Sequence, residues 1–363
     1  MIDISPDIEF KKELKRLSKS SLNECMQCGT CSVVCTLAPE ERPFPRKEMI
    51  WAGWGMKDNL IANTDIWLCH QCGDCSTHCP RNVKPADVFS AIRQISYQHY
   101  ACPKILRKIV NRPALLPVAI LIPVIIIAGI LLLAGTFRIP DGPVNYSKFF
   151  PHAWLNSSFS LITFLSYSFA ISGLVKFWND LKRSRPEAKP KNGLLISLFK
   201  NRSGILSHSK FGKCNTQKSR KISHFLVFYG FIMLLVVTAF AIIAAITHNY
   251  PLAFTNPFKI LGNVAAVMLV IGLSIMILNR LINKNSINST YTDWSFLISL
   301  FILSVSGVVV EAARFLNWQS AYHLYFFHLV CVWYVIIYLP YSKFGHLVYR
   351  TVAIAFANSI GRK

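Results

Sequence analysis

The chain has 363 residues, 53% of them hydrophobic and only 15% charged, with a mean hydropathy of +0.38. A soluble two-domain protein is rarely so apolar. The formal net charge of +22 comes without an aromatic-interleaved basic motif, which argues against nucleic acid as a partner and for basic loops facing anionic membrane lipid.

The first 24 residues are mixed in charge and lack an apolar run, so no cleavable signal peptide is expected; residues 8–17 predict a short amphipathic helix. Two four-cysteine runs follow, Cys25, Cys28, Cys31, Cys35 and Cys69, Cys72, Cys75, Cys79, the second closed by Pro80; they take eight of the eleven cysteines. Three thiolates two residues apart can wrap one corner of a [4Fe–4S] cube, and in two-cluster ferredoxins the fourth cysteine of each run ligates the other cluster. The expected ligand sets are therefore Cys25, Cys28, Cys31 and Cys79 for one cluster, and Cys69, Cys72, Cys75 and Cys35 for the second. Zinc sites or a disulfide framework are the competing reading, disfavoured because zinc rarely uses this triple-plus-one spacing. Thr36, rather than a proline, follows the first run. Residues 45–51 predict a helix with Pro45 at its first turn, and 87–97 the last helix of a small cluster domain over residues 1–104. His70 and His78, beside the cluster cysteines, read as surface histidines.

From residue 113 onward six apolar stretches are expected to span a membrane: 114–136, 155–178, 222–247, 258–282, 293–316 and 322–341. Crossing about 30 Å of hydrocarbon takes roughly 20 helical residues. The expected fold class is all-α, a helical dicluster ferredoxin-like domain followed by a six-helix transmembrane domain over 105–363. The loop 179–221 carries twelve lysines and arginines, which makes it cytoplasmic by the positive-inside rule. An even helix count then places the cluster domain on the cytoplasmic side of the inner membrane, where thiols stay reduced.

Ionisable residues within membrane spans are functional candidates. His328 and His346 stand 18 residues apart, five whole turns, which on one continuous helix puts both rings on one face about 27 Å apart. Such a helix would give an axial ligand to each of two haems. His224, at the cytoplasmic start of the third span, is the matching candidate for His346. For His328 the candidates are His248, His152 or no partner, and His323 reads as an interface residue. Glu311, three residues before Arg314, reads as half of an interfacial ion pair, with a proton acceptor for quinol as the sharper alternative. Asp293, Cys102, Cys214 and Cys331 carry no comparable argument.

Residues 25–96, with Trp67-Leu68-Cys69 and Cys79-Pro80-Arg81, resemble the C subunit of heterodisulfide reductase, which carries two [4Fe–4S] clusters. Residues 328–346, ending in Leu339-Pro340-Tyr341-Ser342-Lys343-Phe344-Gly345-His346, resemble the haem-ligating helix of the nitrate reductase gamma subunit family. That resemblance implies two helices giving four histidines to two b-type haems, and electron exchange with quinone. His224, followed by Gly230, resembles the first ligand of the other helix, whereas Leu234 stands where the second is expected. The fusion of both modules is similar to the C-subunit family of quinone-interacting membrane-bound oxidoreductases. It implies an electron-transfer subunit linking menaquinone, haem b (one or two) and the two clusters to soluble flavin and iron–sulfur subunits of the same complex, with adenylylsulfate reductase as a further partner in sulfur metabolism. The chain has no G-x-G-x-x-G loop, so any flavin is expected on the partners. Two alternatives stand beside this: a heterodisulfide-reductase-like or sulfite-reduction-linked subunit with another soluble partner, and a haem-free membrane anchor or redox sensor.

Overall fold

The computed structural model describes residues 5–185, 188, 190–206, 218–247, 253, 255–282 and 288–362, and among them every regular element is helical. In chain order these are α1 (Ile8–Ser18), α2 (Thr30–Val33), α3 (Arg46–Trp54), α4 (Lys57–Ile61), α5 (Thr64–Leu68), α6 (Asp74–Thr77), α7 (Pro85–Tyr100) and α8 (Lys104–Asn111), then α9 (Leu116–Leu133), α10 (Tyr146–Phe149), α11 (His152–Arg183), α12 (Leu194–Lys200) and α13 (Arg202–Leu206), and finally α14 (Lys218–Ile246), α15 (Pro257–Ile282), α16 (Tyr291–Phe315), α17 (Ala321–Tyr338) and α18 (Phe344–Ser359). The chain divides into two compact units. One comprises Met1–Arg107, Phe169–Thr216 and Pro340–Lys363; the other comprises Lys108–Ser168 and Gln217–Leu339.

In the first unit, α1 begins where the Asp7 side chain accepts the Phe10 N–H at 2.8 Å, a capping bond that satisfies one orphan donor of the first turn. α7 begins with Pro85, whose missing N–H would have had no helical partner there, and buries Val88, Phe89, Ile92 and Ile95 at helical spacing. These side chains meet Phe10 and Leu14 of α1, Met49 of α3, Ile66 and Trp67 of α5, Phe177 of α11 and Tyr349 and Phe356 of α18 in one core. Burying each large apolar side chain contributes about 1.5–3 kcal/mol. The core is thus assembled from segments far apart in sequence.

In the second unit, α15 packs on α14 and α16, α17 packs on α16 and α9, and α10 touches α17. Leu269, Leu273, Leu297 and Leu300 form one apolar cluster; Ile127, Leu131, Phe149, Phe150, Leu329 and Trp333 are part of another. α16 opens with a capping box in which Asp293 accepts from the Thr290 N–H at 2.9 Å, giving Asp293 a structural role.

Six helical segments are long and apolar enough to cross a membrane: Pro113–Leu133, His152–Arg183, Ser219–Ala244, Pro257–Ile282, Tyr291–Phe315 and Ala321–Ser359, the last made of α17, a 3-10 turn and α18. They coincide with the six expected spans, and the chain is a multi-pass membrane protein by this measure. One expectation fails. The uninterrupted helix joining His328 to His346 is absent, because a 3-10 turn over Leu339–Tyr341 separates α17 from α18. Pro340 has no N–H for the Ile336 carbonyl four residues back, and that carbonyl accepts instead from the Leu339 N–H, three residues on, and from the Ser166 hydroxyl at 2.7 Å. The whole-turn phase argument for the two histidines therefore lapses.

Candidate metal centre

The two cysteine runs share more than their cysteines. Both follow Cys-x-Gln-Cys-Gly-x-Cys-Ser-x-x-Cys, with Gln27, Gly29 and Ser32 in the first and Gln71, Gly73 and Ser76 in the second. The backbone repeats too: Gln27 and Gln71 have φ of 59° and 53°, Gly29 and Gly73 of 86° and 96°, all left-handed. Only glycine adopts this region without steric penalty, and α2 or α6 starts directly after each glycine. Turns of this kind gather successive N–H groups into concavities suited to anionic groups, iron–sulfur clusters included. The Gln71 N–H donates to Cys69 Sγ and the Gln27 side-chain amide to Cys25 Sγ, each at 3.2 Å. Each serine then accepts an N–H from the start of the helix beyond its run: Arg46 N to Ser32 Oγ at 3.0 Å, and Ala86 N to Ser76 Oγ at 3.2 Å. A proline, Pro45 or Pro85, precedes each donor.

Cys25, Cys28 and Cys31 line one pocket together with Cys79 of the other run, and Arg46, Met49, Arg81 and Val83 are among its other walls. Burial, then the neighbouring Cys25 and Cys28, pushes the Cys31 thiol up to about 11. Cys28 is exposed, and its hydrogen bond with Thr30 holds its thiol below the ordinary value. Around the second run the Cys75 thiol is raised by burial first and then by its neighbours Cys69 and Cys72, with Cys35 and Cys31 of the first run also close enough to raise it. All eight are free cysteines. Among the described residues no three His, Cys, Asp or Glu side chains gather as a single metal ion requires. Four sulfurs spread around a pocket, with left-handed backbone beside them, are a donor set that fits a [4Fe–4S] cluster.

The second run is held from two further helices. The buried Arg93 of α7 donates to the carbonyls of Ile66 at 3.3 Å and Cys69 at 2.8 Å, and to Gln71 Oε1 at 3.3 Å. Arg350 of α18 donates to the same Cys69 carbonyl at 2.9 Å. One turn earlier on α18, the His346 ring lies 5.6 Å from the ring of Trp67, which is fully buried and also packs on Tyr349 and Phe177. α18 thus sets a histidine against the residue two before Cys69 and a cation on Cys69 itself.

A buried charge cluster completes this unit. Asp65 accepts from Lys47 and Arg185 at 3.3 Å each, and Arg362 closes a third ion pair on it. Buried Glu48 lies beside Lys47 at 3.2 Å; burial first, then the charge of Asp65, pushes its carboxyl up to about 7.

The candidate histidines are divided between the two units. His346 lies in the first unit, His224 and His328 in the second, and His248 lies outside the described residues. His152 opens α11, and the His224 ring lies parallel to Phe228 with centroids 6.4 Å apart. His328 Nδ1 is 2.9 Å from Ser306 Oγ, whose hydroxyl donates to the Leu303 carbonyl at 3.0 Å. When the serine proton is held by Leu303, Nδ1 is the donor and Nε2 carries the lone pair; when the hydroxyl turns to Nδ1 the roles reverse. An imidazole with a free Nε2 is the donor type a haem iron takes. Glu311 is ion-paired, but with Lys259 at 3.2 Å rather than with the expected Arg314, and it also accepts from Asn263 at 3.2 Å. His78 bonds the Asp74 carbonyl at 2.9 Å.

Sequence reasoning passed over Arg93, Arg350 and Asp65. An arginine among the apolar positions of α7 and an aspartate within α5 were the available signals. The matching Gln, Gly and Ser of the two runs emerge only when the runs are laid over each other.

A two-cluster iron–sulfur module joined to helices long enough to cross a membrane defines a membrane-associated electron-transfer protein. Residues 21–83 match the 4Fe-4S dicluster domain, and residues 107–362 match the family described as citrate utilization protein B. The chain belongs to the citrate utilization protein B family. It is 24% identical to citrate utilization protein B of Escherichia coli, over 91% of this chain and 88% of that protein. The N-terminal part is 36% identical to the C subunit of the H(2):CoB-CoM heterodisulfide,ferredoxin reductase of Methanothermobacter marburgensis, over 24% of this chain and 47% of that one. It is also 36% identical to a protein of Archaeoglobus profundus described as like the C subunit of heterodisulfide reductase, with the same coverage. The chain spans about half the length of these two heterodisulfide reductase relatives.

Proposed function

We propose that the chain carries electrons between menaquinone and soluble redox subunits, with Cys25, Cys28, Cys31 and Cys79 holding one [4Fe–4S] cluster and Cys69, Cys72, Cys75 and Cys35 the other. The observation that carries this reading is that Cys79 of the second run lines one pocket with Cys25, Cys28 and Cys31 of the first. The clusters, and haem b on His346, His224 and His328, would supply one-electron chemistry at potentials the protein sets. His248 remains a further candidate for haem.

The chain's own residues have distinct tasks in this reading. Arg93 and Arg350 fix the Cys69 carbonyl and add positive charge beside the second set, which favours its reduced form. Trp67 fills the space between His346 and the segment ending in Cys69 with a buried aromatic ring, excluding water from the shortest path. Ser306 orients His328. Glu311, steadied by Lys259, is the proton acceptor for quinol. The cluster module and the basic segment 179–221 face the cytoplasm from the inner membrane. The partners are soluble flavin and iron–sulfur subunits, with adenylylsulfate reductase beyond them.

The family match over residues 107–362 favours a second reading, in which the same conduit serves a soluble partner of citrate utilization rather than of sulfur metabolism. Co-purification from the native membrane decides between them. The test of the conduit itself is an optical difference spectrum of the purified chain, menaquinol-reduced against oxidised. Reduced b-type haem bands that weaken in His346→Ala and persist in Cys28→Ala are expected. Cluster absorption without haem bands would sink the conduit and leave a haem-free anchor or redox sensor.

A further inference from the structure

The segment between α11 and α14 contains a short helix whose two faces have unlike surroundings. α12 packs on α18 through Leu194 and Ser197, and this docking is reinforced by the Lys191 N–H on the Ser359 carbonyl at 3.1 Å and by Asn358 on Asn201. On the other face Leu195, Ile196 and Phe199 are 80%, 54% and 66% exposed. Three large apolar side chains side by side on a helix facing water are unfavourable by roughly 1.5–3 kcal/mol each compared with burial. Something of matching chemistry covers them.

The flanking charge identifies the cover. Residues 188–221 contain nine lysines and arginines and no aspartate or glutamate. Lys200 and Arg202 border the apolar face, Arg202 lying 4.0 Å from the Phe199 ring centre. Both helices that flank the segment, α11 and α14, are long enough to cross a membrane. The ten residues 184–193 that lead to α12 reach at most about 35 Å when extended. Apolar side chains bordered by cations, on a segment tethered at both ends to the bilayer, match the anionic headgroup and acyl boundary of a leaflet.

We propose that α12 is an interfacial helix, with Leu195, Ile196 and Phe199 inserted into the anionic lipid leaflet and Lys200 and Arg202 on its phosphates. The proposal rests on the membrane-spanning reading and not on the electron path. It makes the basic segment a membrane-surface anchor for α18, the helix that carries His346 and Arg350.

The test uses the full chain in nanodiscs of phosphatidylglycerol and phosphatidylethanolamine, with the photocrosslinker p-benzoylphenylalanine in place of Phe199. A second sample carries it in place of Leu121, on the exposed face of α9. Mass spectrometry after illumination is expected to find lipid adducts at both positions. Lys200→Glu with Arg202→Glu, or discs of phosphatidylcholine alone, should reduce the adduct at 199 roughly fivefold and leave that at 121 unchanged. Lipid at 121 with none at 199, including a case where 199 labels a co-purified protein, overturns the proposal and leaves the membrane reading standing. No lipid at either position overturns both.

Discussion

The two cysteine runs are near copies set in unlike surroundings. Their backbones turn at the same glutamine and glycine positions, and their serines hold the same place on the following helix. Yet the first run ends at the surface, with Cys28 exposed and its neighbours Met26 and Val33 63% and 86% exposed, while the second is clasped by Arg93 and Arg350 and backed by buried Trp67. Local sequence dictates a cluster-binding turn; tertiary packing decides what the turn is next to. The contrast leaves an enclosed inner run and an exposed outer run within one unit.

The largest effects should come from the cysteines. Cys75→Ala should remove one cluster's electron paramagnetic signal and lower the thermal midpoint of the module, because that residue is half-buried whereas Cys28 is exposed. Cys28→Ala should remove the other signal and leave the midpoint nearly unchanged. Equal destabilisation by both would erase the distinction between inner and outer runs. Next come the arginines. Arg93→Gln should destabilise the fold by about 2 kcal/mol, since it strips a charged donor from two buried carbonyls, and should shift the second cluster's midpoint potential downward in a redox titration. Arg46→Gln, beside the first pocket but exposed, should shift the first cluster less, because solvent screens its charge.

A smaller effect is a pH dependence. Glu48 has its folded pKa raised to about 7 from 4.5, so the folded protein holds a proton that the unfolded chain releases. That contribution is fully present below about pH 4.5 and is lost as pH rises through about 7, at most about 3 kcal/mol. Glu48→Gln should flatten the dependence of thermal midpoint on pH between 5 and 8, and an unchanged slope would assign it to other groups. The smallest effect tests the likeness of the runs rather than their difference. Gly29→Ala and Gly73→Ala should each cost about 1–2 kcal/mol, because both sit at left-handed φ. Markedly unequal losses would show that the shared geometry is not shared strain.

What was legible in the sequence is what is local. Six apolar spans and their order follow from composition over windows of twenty residues, and the cysteine spacing announces cluster chemistry without any tertiary information. The cluster of Asp65, Lys47, Arg185 and Arg362 depends on positions as many as 297 residues apart, and no periodicity links them. The single-helix reading of His328 and His346 failed at Pro340, where turn counting assumed a continuity that a missing N–H denies. The citrate utilization family also went unread, because its match lies over residues 107–362, where apolar composition masks specific positions.

The Asp65 cluster has a consequence for the order of events at the ribosome. The aspartate is synthesised early and buried without exposure, yet two of its three cations arrive more than a hundred residues later, Arg362 after all six spans have emerged. Until then the module would have to bury a carboxylate with one lysine for company. We therefore expect cluster maturation to wait for membrane insertion. A nascent chain halted before residue 340 should expose its cluster domain to protease, and one released after residue 362 should resist it.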